Sequence, residues 1–203
     1  MTEPRETRAD EFKGNLIILG SFLAIFWGLE IIDTAMSHKL DMYGIRPRSA
    51  DGLLGILFAP FLHGSWDHLS ANTIPFAVLG FFTILHGRTA FWWATVWIVL
   101  IGGIGTWLTG GANSVHIGAS GLIFGYFGFL IATGVLERSL KGILIAVFVG
   151  FVYGSIVWGV LPSDKGISWQ GHLFGLIGGG AAAWSSSELS RSIVSLGAAG
   201  CGV

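Results

Sequence analysis

The sequence HIGASGLIFGYFG at residues 116–128 lies within the longest stretch of the chain that lacks Asp, Glu, Lys and Arg, residues 89–136. A helix that crosses a bilayer needs about 20 mostly apolar residues, so this stretch is long enough for two spans. Further charge-free stretches cover residues 14–29, 68–87, 142–163 and 166–187. The pattern predicts an all-α membrane protein with six transmembrane helices.

The predicted spans account for most of the 203 residues, of which 52% are hydrophobic and only 11% are charged. We place them near residues 14–36, 68–86, 90–109, 119–136, 142–161 and 169–190. They form one membrane domain, 14–190, between two short cytoplasmic tails, 1–13 and 191–203. No small-residue cleavage site follows the first span, which we therefore expect to be retained.

The placement of Lys and Arg predicts the orientation. Seven of these residues lie on the side of both termini and four on the other side, and cytoplasmic loops are the richer in positive charge. We expect a multi-pass protein of the plasma (inner) membrane with both termini in the cytoplasm. The bilayer is then its main partner. A formal net charge of −1 without a basic stripe argues against nucleic acid, and the lone Cys201 excludes an internal disulfide and a cysteine metal cluster.

The connection 37–67, on the outer side, is too long for a simple turn. Half of it is apolar, which predicts a partly helical lobe that lies in the membrane interface. Glycines recur at helical spacing in the fourth and sixth spans. Such stripes let backbones approach closely, so we expect these two spans to touch.

Ser120 stands where an outer loop meets the fourth span. A serine at the start of a helix is ordinarily an N-cap. Here Gly118 and Gly121 leave the backbone open to a substrate carbonyl, and the free N–H groups of a helix start suit an oxyanion. These features make Ser120 a candidate nucleophile.

His172, in the sixth span, is the candidate base. An ionisable residue inside a membrane is costly and is by default a functional hypothesis. The charge-free stretches 89–136, 142–163 and 166–187, which hold most of the fourth, fifth and sixth spans, contain no acid to orient it, so Ser120 and His172 would act as a dyad. The alternative is a core histidine bonded to a backbone carbonyl.

A second polar group, His63, His68 and Asn72, leads into the second span from the same side. His68 and Asn72 are four residues apart and share a helix face, where their donors can hold an oxyanion. We expect His63 to brace the loop. The two histidines are five residues apart, which places them on different faces of a helix, so we expect no metal and no other cofactor.

The motifs His-x4-His-x3-Asn, Gly-Ala-Ser-Gly and His-x2-Gly-x3-Gly, in this order, resemble the rhomboid proteases in their six-span form. The resemblance implies Ser120 as nucleophile, His172 as general base and an oxyanion site built from His68, Asn72 and the Ser120 N–H. It also implies substrates that are single-span membrane proteins, which enter sideways between the second and fifth spans.

Two features depart from the family pattern. Many members have a tyrosine that stacks on the catalytic histidine, where this chain has Phe124; the ring remains and the hydroxyl is lost. Tyr126 lies on another face and is not expected to replace it. The first loop lacks the Trp-Arg pair of many relatives and has Arg46-Pro47-Arg48 instead.

Two other functions remain possible from the sequence. An inactive rhomboid-like protein that binds membrane clients would be expected to lack the serine or the histidine. A transporter would spread polar residues over several depths, whereas here they cluster at one end of three spans. We interpret Glu30 and Asp33, in the first span, as structural, and His116 as close enough to Ser120 to line a cavity.

Overall fold

The computed structural model describes residues 7–162 and 167–200, with side chains described up to residue 189. This part of the chain is helical and contains no β-strand. Its α-helices are α1 (Arg8–Ala35), α2 (Gly55–Phe58), α3 (Trp66–Ile84), α4 (Arg88–Thr109), α5 (Ser120–Glu137), α6 (Leu140–Tyr153) and α7 (Trp169–Gly200). Short 3-10 helices cover Leu40–Tyr43, Ala50–Leu53, Ala59–Phe61 and Gly154–Val160. The predicted all-α class is therefore confirmed.

Within the described part of the chain, four helical stretches are long and apolar enough to cross a membrane by length and composition. They are α1, α4, α5 and the continuous stretch Leu140–Val160. The other two long helices, α3 and α7, contain the polar residues singled out in the sequence, including Asn72 and His172. Six spans therefore remain a prediction that depends on α3 and α7.

Helix α5 occupies the centre of the bundle and packs against α3, α4, α6 and α7. Its contact with α7 is the most extensive in the molecule. A Cβ atom on Gly175 would collide with the carbonyl oxygen of Gly121, and one on Gly179 would collide with that of Gly125. The contact predicted from the glycine stripes is confirmed, because only glycine permits this backbone approach.

Both ends of α1 differ in detail from the predicted span. Thr7 and Asp10 form a capping box, so the helix begins at Arg8 rather than at residue 14. After Ala35 the chain turns back through Ser37 and His38, whose φ angles are 59° and 58°. This turn directs the following segment toward the end of α1.

The segment 37–67 is attached to the end of α4 by side-chain hydrogen bonds to backbone carbonyls. Arg48 Nη1 donates to the oxygens of Leu108 and Gly110 at 3.0 and 2.8 Å. In the other direction Trp107 Nε1 donates to the oxygen of Ser49 at 2.9 Å. An arginine and a tryptophan thus anchor the lobe, although they are far apart in the sequence.

The same segment also forms one wall beside the start of α5. Ile45 and His116 exchange two backbone hydrogen bonds of 3.0 and 2.9 Å. The N–H of Gly118 donates to the oxygen of Ala59 at 2.9 Å. The loop that leads to Ser120 is therefore held by the lobe.

Candidate active site

Ser120 and His172 meet at the glycine contact between α5 and α7. Ser120 is the first residue of α5, and His172 lies in the first turn of α7. The Ser120 Oγ and His172 Nε2 atoms are 2.9 Å apart, and the histidine is only 7% exposed. The structure thus brings together the two residues that the sequence predicted as a dyad.

The second ring nitrogen of His172 has a main-chain partner. Its Nδ1 lies 2.8 Å from the carbonyl oxygen of Gly159, in the 3-10 helix that follows α6. A carbonyl only accepts hydrogen bonds, so Nδ1 carries the proton of the neutral ring. Nε2 is then an acceptor for the Ser120 hydroxyl. The carbonyl of Gly159 has the orienting role for which the sequence offered no acid.

The ring of Phe124 stacks on the imidazole of His172. The two ring centroids are 4.1 Å apart and the planes differ by 7°. The stacking predicted for Phe124 is therefore present without the hydroxyl of the usual tyrosine. Tyr126 points elsewhere, since its hydroxyl lies 2.8 Å from Thr95 Oγ1 on α4. The prediction that Tyr126 does not take the place of the family's stacking tyrosine is confirmed.

His68 and Asn72 converge beside Gly118. A Cβ atom on Gly118 would lie 2.7 Å from His68 Nε2 and 3.8 Å from Asn72 Nδ2, so these side chains approach the backbone just before Ser120. Gly118 has a φ of 117°, which disfavours other residues. The amide nitrogen of Asn72 is buried and has no hydrogen-bond partner among the described residues.

His63 lies behind this pair and contacts the start of α5. Its Nε2 accepts a hydrogen bond from the N–H of Ala119 at 3.4 Å, and its ring packs against that of His68 at 5.2 Å. Burial, assisted by the neighbouring His68, lowers the pKa of His63 to about 4. The ring is therefore neutral at pH 7 and can accept this bond. The predicted bracing contact is present.

One cavity of about 890 Å³ joins the two groups. It is lined by Ser120, His172, Phe124, His68, Asn72 and His116 together with apolar neighbours. His116 was expected to line the cavity, and it does. Its Nδ1 lies 2.7 Å from Ser168 Oγ at the start of α7, and burial lowers the pKa of its ring.

The arrangement suits acyl transfer. A neutral imidazole with its acceptor nitrogen toward a serine hydroxyl can remove the hydroxyl proton, and nearby unpartnered donors can hold the oxygen that becomes negative. Among the described residues, the ligand atoms close enough to share a metal ion belong to Asp33, His38 and Asp41, which do not line this cavity.

Comparison with known protein families yields a match to the Rhomboid domain over residues 50–188. An uncharacterized protein of Mycobacterium tuberculosis is 46% identical over 188 residues, which cover 89% of this chain and 78% of that protein. One from Mycobacterium leprae is 44% identical over 195 residues, covering 92% and 77%. A Bacillus subtilis protein named "Putative rhomboid protease YdcA" is 31% identical over 134 residues, covering 64% and 66%. No solved structure matches the chain.

Proposed function

The chain belongs to the rhomboid family, and on this premise we propose that it is an intramembrane serine endopeptidase that cuts single-span membrane proteins. The observation that carries the proposal is the 2.9 Å contact between Ser120 Oγ and His172 Nε2, with His172 Nδ1 held by the Gly159 carbonyl. Neither a client-binding protein nor a transporter requires a serine and a histidine in this geometry.

Acylation begins when Ser120 Oγ attacks the carbonyl carbon of the scissile bond and its proton passes to His172 Nε2. The resulting imidazolium keeps its Nδ1–H on the oxygen of Gly159, which stabilises the positive charge. The C–N bond then breaks, and the departing amine takes the proton from Nε2. An acyl group remains on Ser120.

Deacylation repeats these steps with water as the nucleophile. Water gives a proton to His172 Nε2 and attacks the acyl carbon, and the ester bond to Ser120 breaks as Oγ recovers the proton. In both halves the carbonyl oxygen becomes negative. His68, Asn72 and the N–H of Ser120 are the donors we assign to it, because each lies at the start of α5 or beside Gly118.

In the membrane we propose six spans formed by α1, α3, α4, α5, α6 with its 3-10 extension, and α7. The segment 37–67 would lie in the outer interface, both termini would lie in the cytoplasm, and the cavity would open outward. Hydrolysis requires water, and a polar cavity that reaches one surface can supply it without exposing the site to lipid. Several polar residues of α3 and α7 line this cavity, namely His68, Asn72, Gln170 and His172.

The substrate would enter between α3 and the stretch Leu140–Val160. The ring of Phe82 on α3 meets that of Phe148 at 5.4 Å, and Lys141 Nζ donates to the oxygen of Leu85. Both contacts lie away from the dyad, since Phe82 and Leu85 are at the end of α3 that would face the cytoplasm, Lys141 is at the start of α6 and Phe148 is in its middle. Near the dyad the cavity extends between Pro75 and Ile156 instead, which favours sideways access there.

The test is cleavage of a tagged single-span substrate in liposomes by the full-length protein. We expect Ser120→Ala and, separately, His172→Ala to abolish cleavage, because each removes one half of the dyad. Ser70→Ala, an exposed serine on α3, is the matched control and should retain activity. A fluorophosphonate probe should label the wild type and Ser70→Ala, and it should not label Ser120→Ala or His172→Ala.

Retained cleavage in both dyad variants would disprove the protease proposal. A wild-type protein that binds the substrate but neither cleaves it nor takes up the probe would point to the client-binding function.

A further inference from the structure

A second group of polar side chains lies at the end of α1, outside the cavity of the dyad. Asp33, His38 and Asp41 each present one ligand atom, and these atoms lie within 4.8 Å of one another. His38 Nδ1 is 3.7 Å from Asp33 Oδ2 and 3.9 Å from Asp41 Oδ2. Charge-assisted hydrogen bonds of this kind are usually about 2.7–2.9 Å long, so His38 faces both carboxylates without bonding directly to either, while Asp33 and Asp41 are close enough to share a hydrogen bond when one of them is protonated.

The carboxylates of this group are buried and unsatisfied. Asp33 is 1% exposed, and its Oδ2, which faces His38, has no hydrogen-bond partner. Asp41 Oδ1 is also buried without a partner. Glu30, one helical turn before Asp33, is 1% exposed, and neither of its carboxylate oxygens has a hydrogen-bond partner among the residues that the structure describes. Buried oxygens of this kind are costly unless a positive group neutralises them.

The backbone holds the group in place. The N–H of Leu40 donates to Asp33 Oδ1 at 2.6 Å, and the N–H of His38 donates to the main-chain oxygen of Asp33 at 2.8 Å. These bonds close the turn after α1 and leave Asp33 Oδ2 directed at His38. The 3-10 helix Leu40–Tyr43 then brings Asp41 to the same point.

We propose that Asp33, His38 and Asp41 bind one divalent metal ion, Zn²⁺, with Glu30 adding negative charge from the next turn of α1. Within the described residues, no Lys or Arg side chain forms an ion pair with these carboxylates. A dication supplies the missing charge. Imidazole together with carboxylate oxygens is a donor set that zinc accepts.

The distances agree with such an ion. Zinc binds imidazole nitrogen and carboxylate oxygen at about 2.0–2.2 Å, which puts two ligands of a tetrahedral site about 3.4 Å apart. The separations of 3.7 and 3.9 Å need to shorten by only a few tenths of an ångström. A water molecule would complete the coordination.

The ion would join parts of the chain that the dyad depends on. A Cβ atom on Gly64 would lie 3.7 Å from Asp41 Oδ2, and Gly64 directly follows His63, which braces the start of α5. The metal would thus connect the end of α1, through Asp41, to the chain that enters α3. Its expected role is structural.

Zinc binding can be measured on full-length protein in detergent, purified through a tag without histidines and stripped with EDTA. We expect titration calorimetry and metal analysis after gel filtration to give one Zn²⁺ per chain. The melting temperature should rise by about 5–10 °C at a hundredfold excess over Kd. His38→Gln and Asp41→Asn should weaken binding at least tenfold and lose most of this rise.

The matched control is Asp51→Asn, an exposed acid of the same segment that lies 3.6 Å from Arg46. It should bind zinc as the wild type does. Gel filtration of each metal-free variant shows whether it is folded, and His38→Gln leaves the buried carboxylates unchanged. Because binding and melting are measured instead of cleavage, the result does not depend on the proposed protease activity.

Two results would overturn the proposal. The first is the absence of saturable zinc binding by the wild-type protein. The metal-free Asp41→Asn variant would then be expected to melt at the same temperature as the wild type. Asp33 and Asp41 would then share a proton in place of a metal. The second is unchanged zinc binding in both His38→Gln and Asp41→Asn, which would place the ion elsewhere, for example on the cavity histidines.

Discussion

The two sides of the cavity differ in how their polar atoms are satisfied. On the α7 side both nitrogens of His172 have partners, Ser120 Oγ at 2.9 Å and the Gly159 oxygen at 2.8 Å. On the α3 side Asn72 Nδ2 is buried and has no hydrogen-bond partner among the described residues. The α7 side is therefore fully hydrogen-bonded before any substrate binds, whereas the α3 side keeps an unpaired hydrogen-bond donor.

This difference matches what the two sides would do in acyl transfer. A general base must be held in one orientation and one tautomer before the reaction. An oxyanion donor must instead gain its bond when negative charge develops, because only interactions that strengthen in the transition state accelerate the reaction. Substitution of the unpartnered donor Asn72 should therefore reduce the rate without reducing stability.

Apart from loss of the dyad itself, the largest expected effect is that of Asn72→Ala. Removal of one oxyanion donor costs about 10²–10³ in kcat. KM should change little, because the donor acts on the transition state. The melting temperature should not fall, since Asn72 Nδ2 has no partner to lose. Cleavage kinetics and thermal unfolding in detergent measure both.

Ser70→Ala, on the exposed face of the same helix, is the control and should match the wild type in both assays. If Asn72→Ala instead lowered the melting temperature and left kcat unchanged, Asn72 would be a packing residue and the contrast between the two sides would fail.

His63 predicts how stability depends on pH. Its pKa is about 4 in the folded protein, because of burial and the nearby His68, against about 6.5 unfolded. Between these values the unfolded chain binds a proton that the folded chain does not, so stability falls as pH falls. The loss from this residue should reach about 3 kcal/mol at pH 4.

Thermal unfolding from pH 7 to pH 4 tests this, with His63→Asn as the comparison. The variant lacks the titrating ring but can still accept from the Ala119 N–H. Its stability should depend less steeply on pH than that of the wild type. Equal slopes would mean that other groups cause the acid sensitivity.

Gly159 tests the hydrogen-bonded side. A Cβ atom there would lie 2.7 Å from Phe124 Cζ and 3.2 Å from His172 Nδ1. Gly159→Ala should therefore displace the ring that the carbonyl orients, with a loss of about 10- to 100-fold in kcat, as is typical of small misplacements. Gly154→Ala, in the same 3-10 helix, meets nothing within 4 Å and should be nearly neutral. Equal rates for the two variants would remove Gly159 from the mechanism.

The sequence was sufficient for the parts that depend on residue type and helical period. Charge-free stretches located the long helices, and glycine spacing predicted the contact that brings Ser120 to His172. The anchoring of the first lobe was not predictable, because it consists of side-chain bonds from Arg48 and Trp107 to main-chain oxygens. These bonds form only where the lobe packs against the end of α4, a contact between distant parts of the sequence.

The same limit applied to two features of the sites. The carbonyl of Gly159 has no signature in a sequence, because a main-chain oxygen is common to every residue. Glu30 and Asp33 were interpreted as structural, but His38 joins Asp33 only because Ser37 and His38 both adopt positive φ. Such a conformation is uncommon for residues other than glycine, and no residue pattern here signals it.

The smallest expected effect concerns Phe124, the position beside the dyad that departs from the family pattern. Its ring stacks on His172 at 4.1 Å, and aromatic pairs of this kind contribute about 1 kcal/mol beyond burial. Phe124→Ala should therefore lower kcat about fivefold. Phe124→Tyr keeps the ring and should stay within about threefold of the wild type. A fall for Phe124→Tyr as large as that for Phe124→Ala would mean that the ring para position beside Gly159 must stay free of a hydroxyl. The orientation of His172 would then depend on the packing between Phe124 and the 3-10 helix, and the stacked ring alone would not be sufficient.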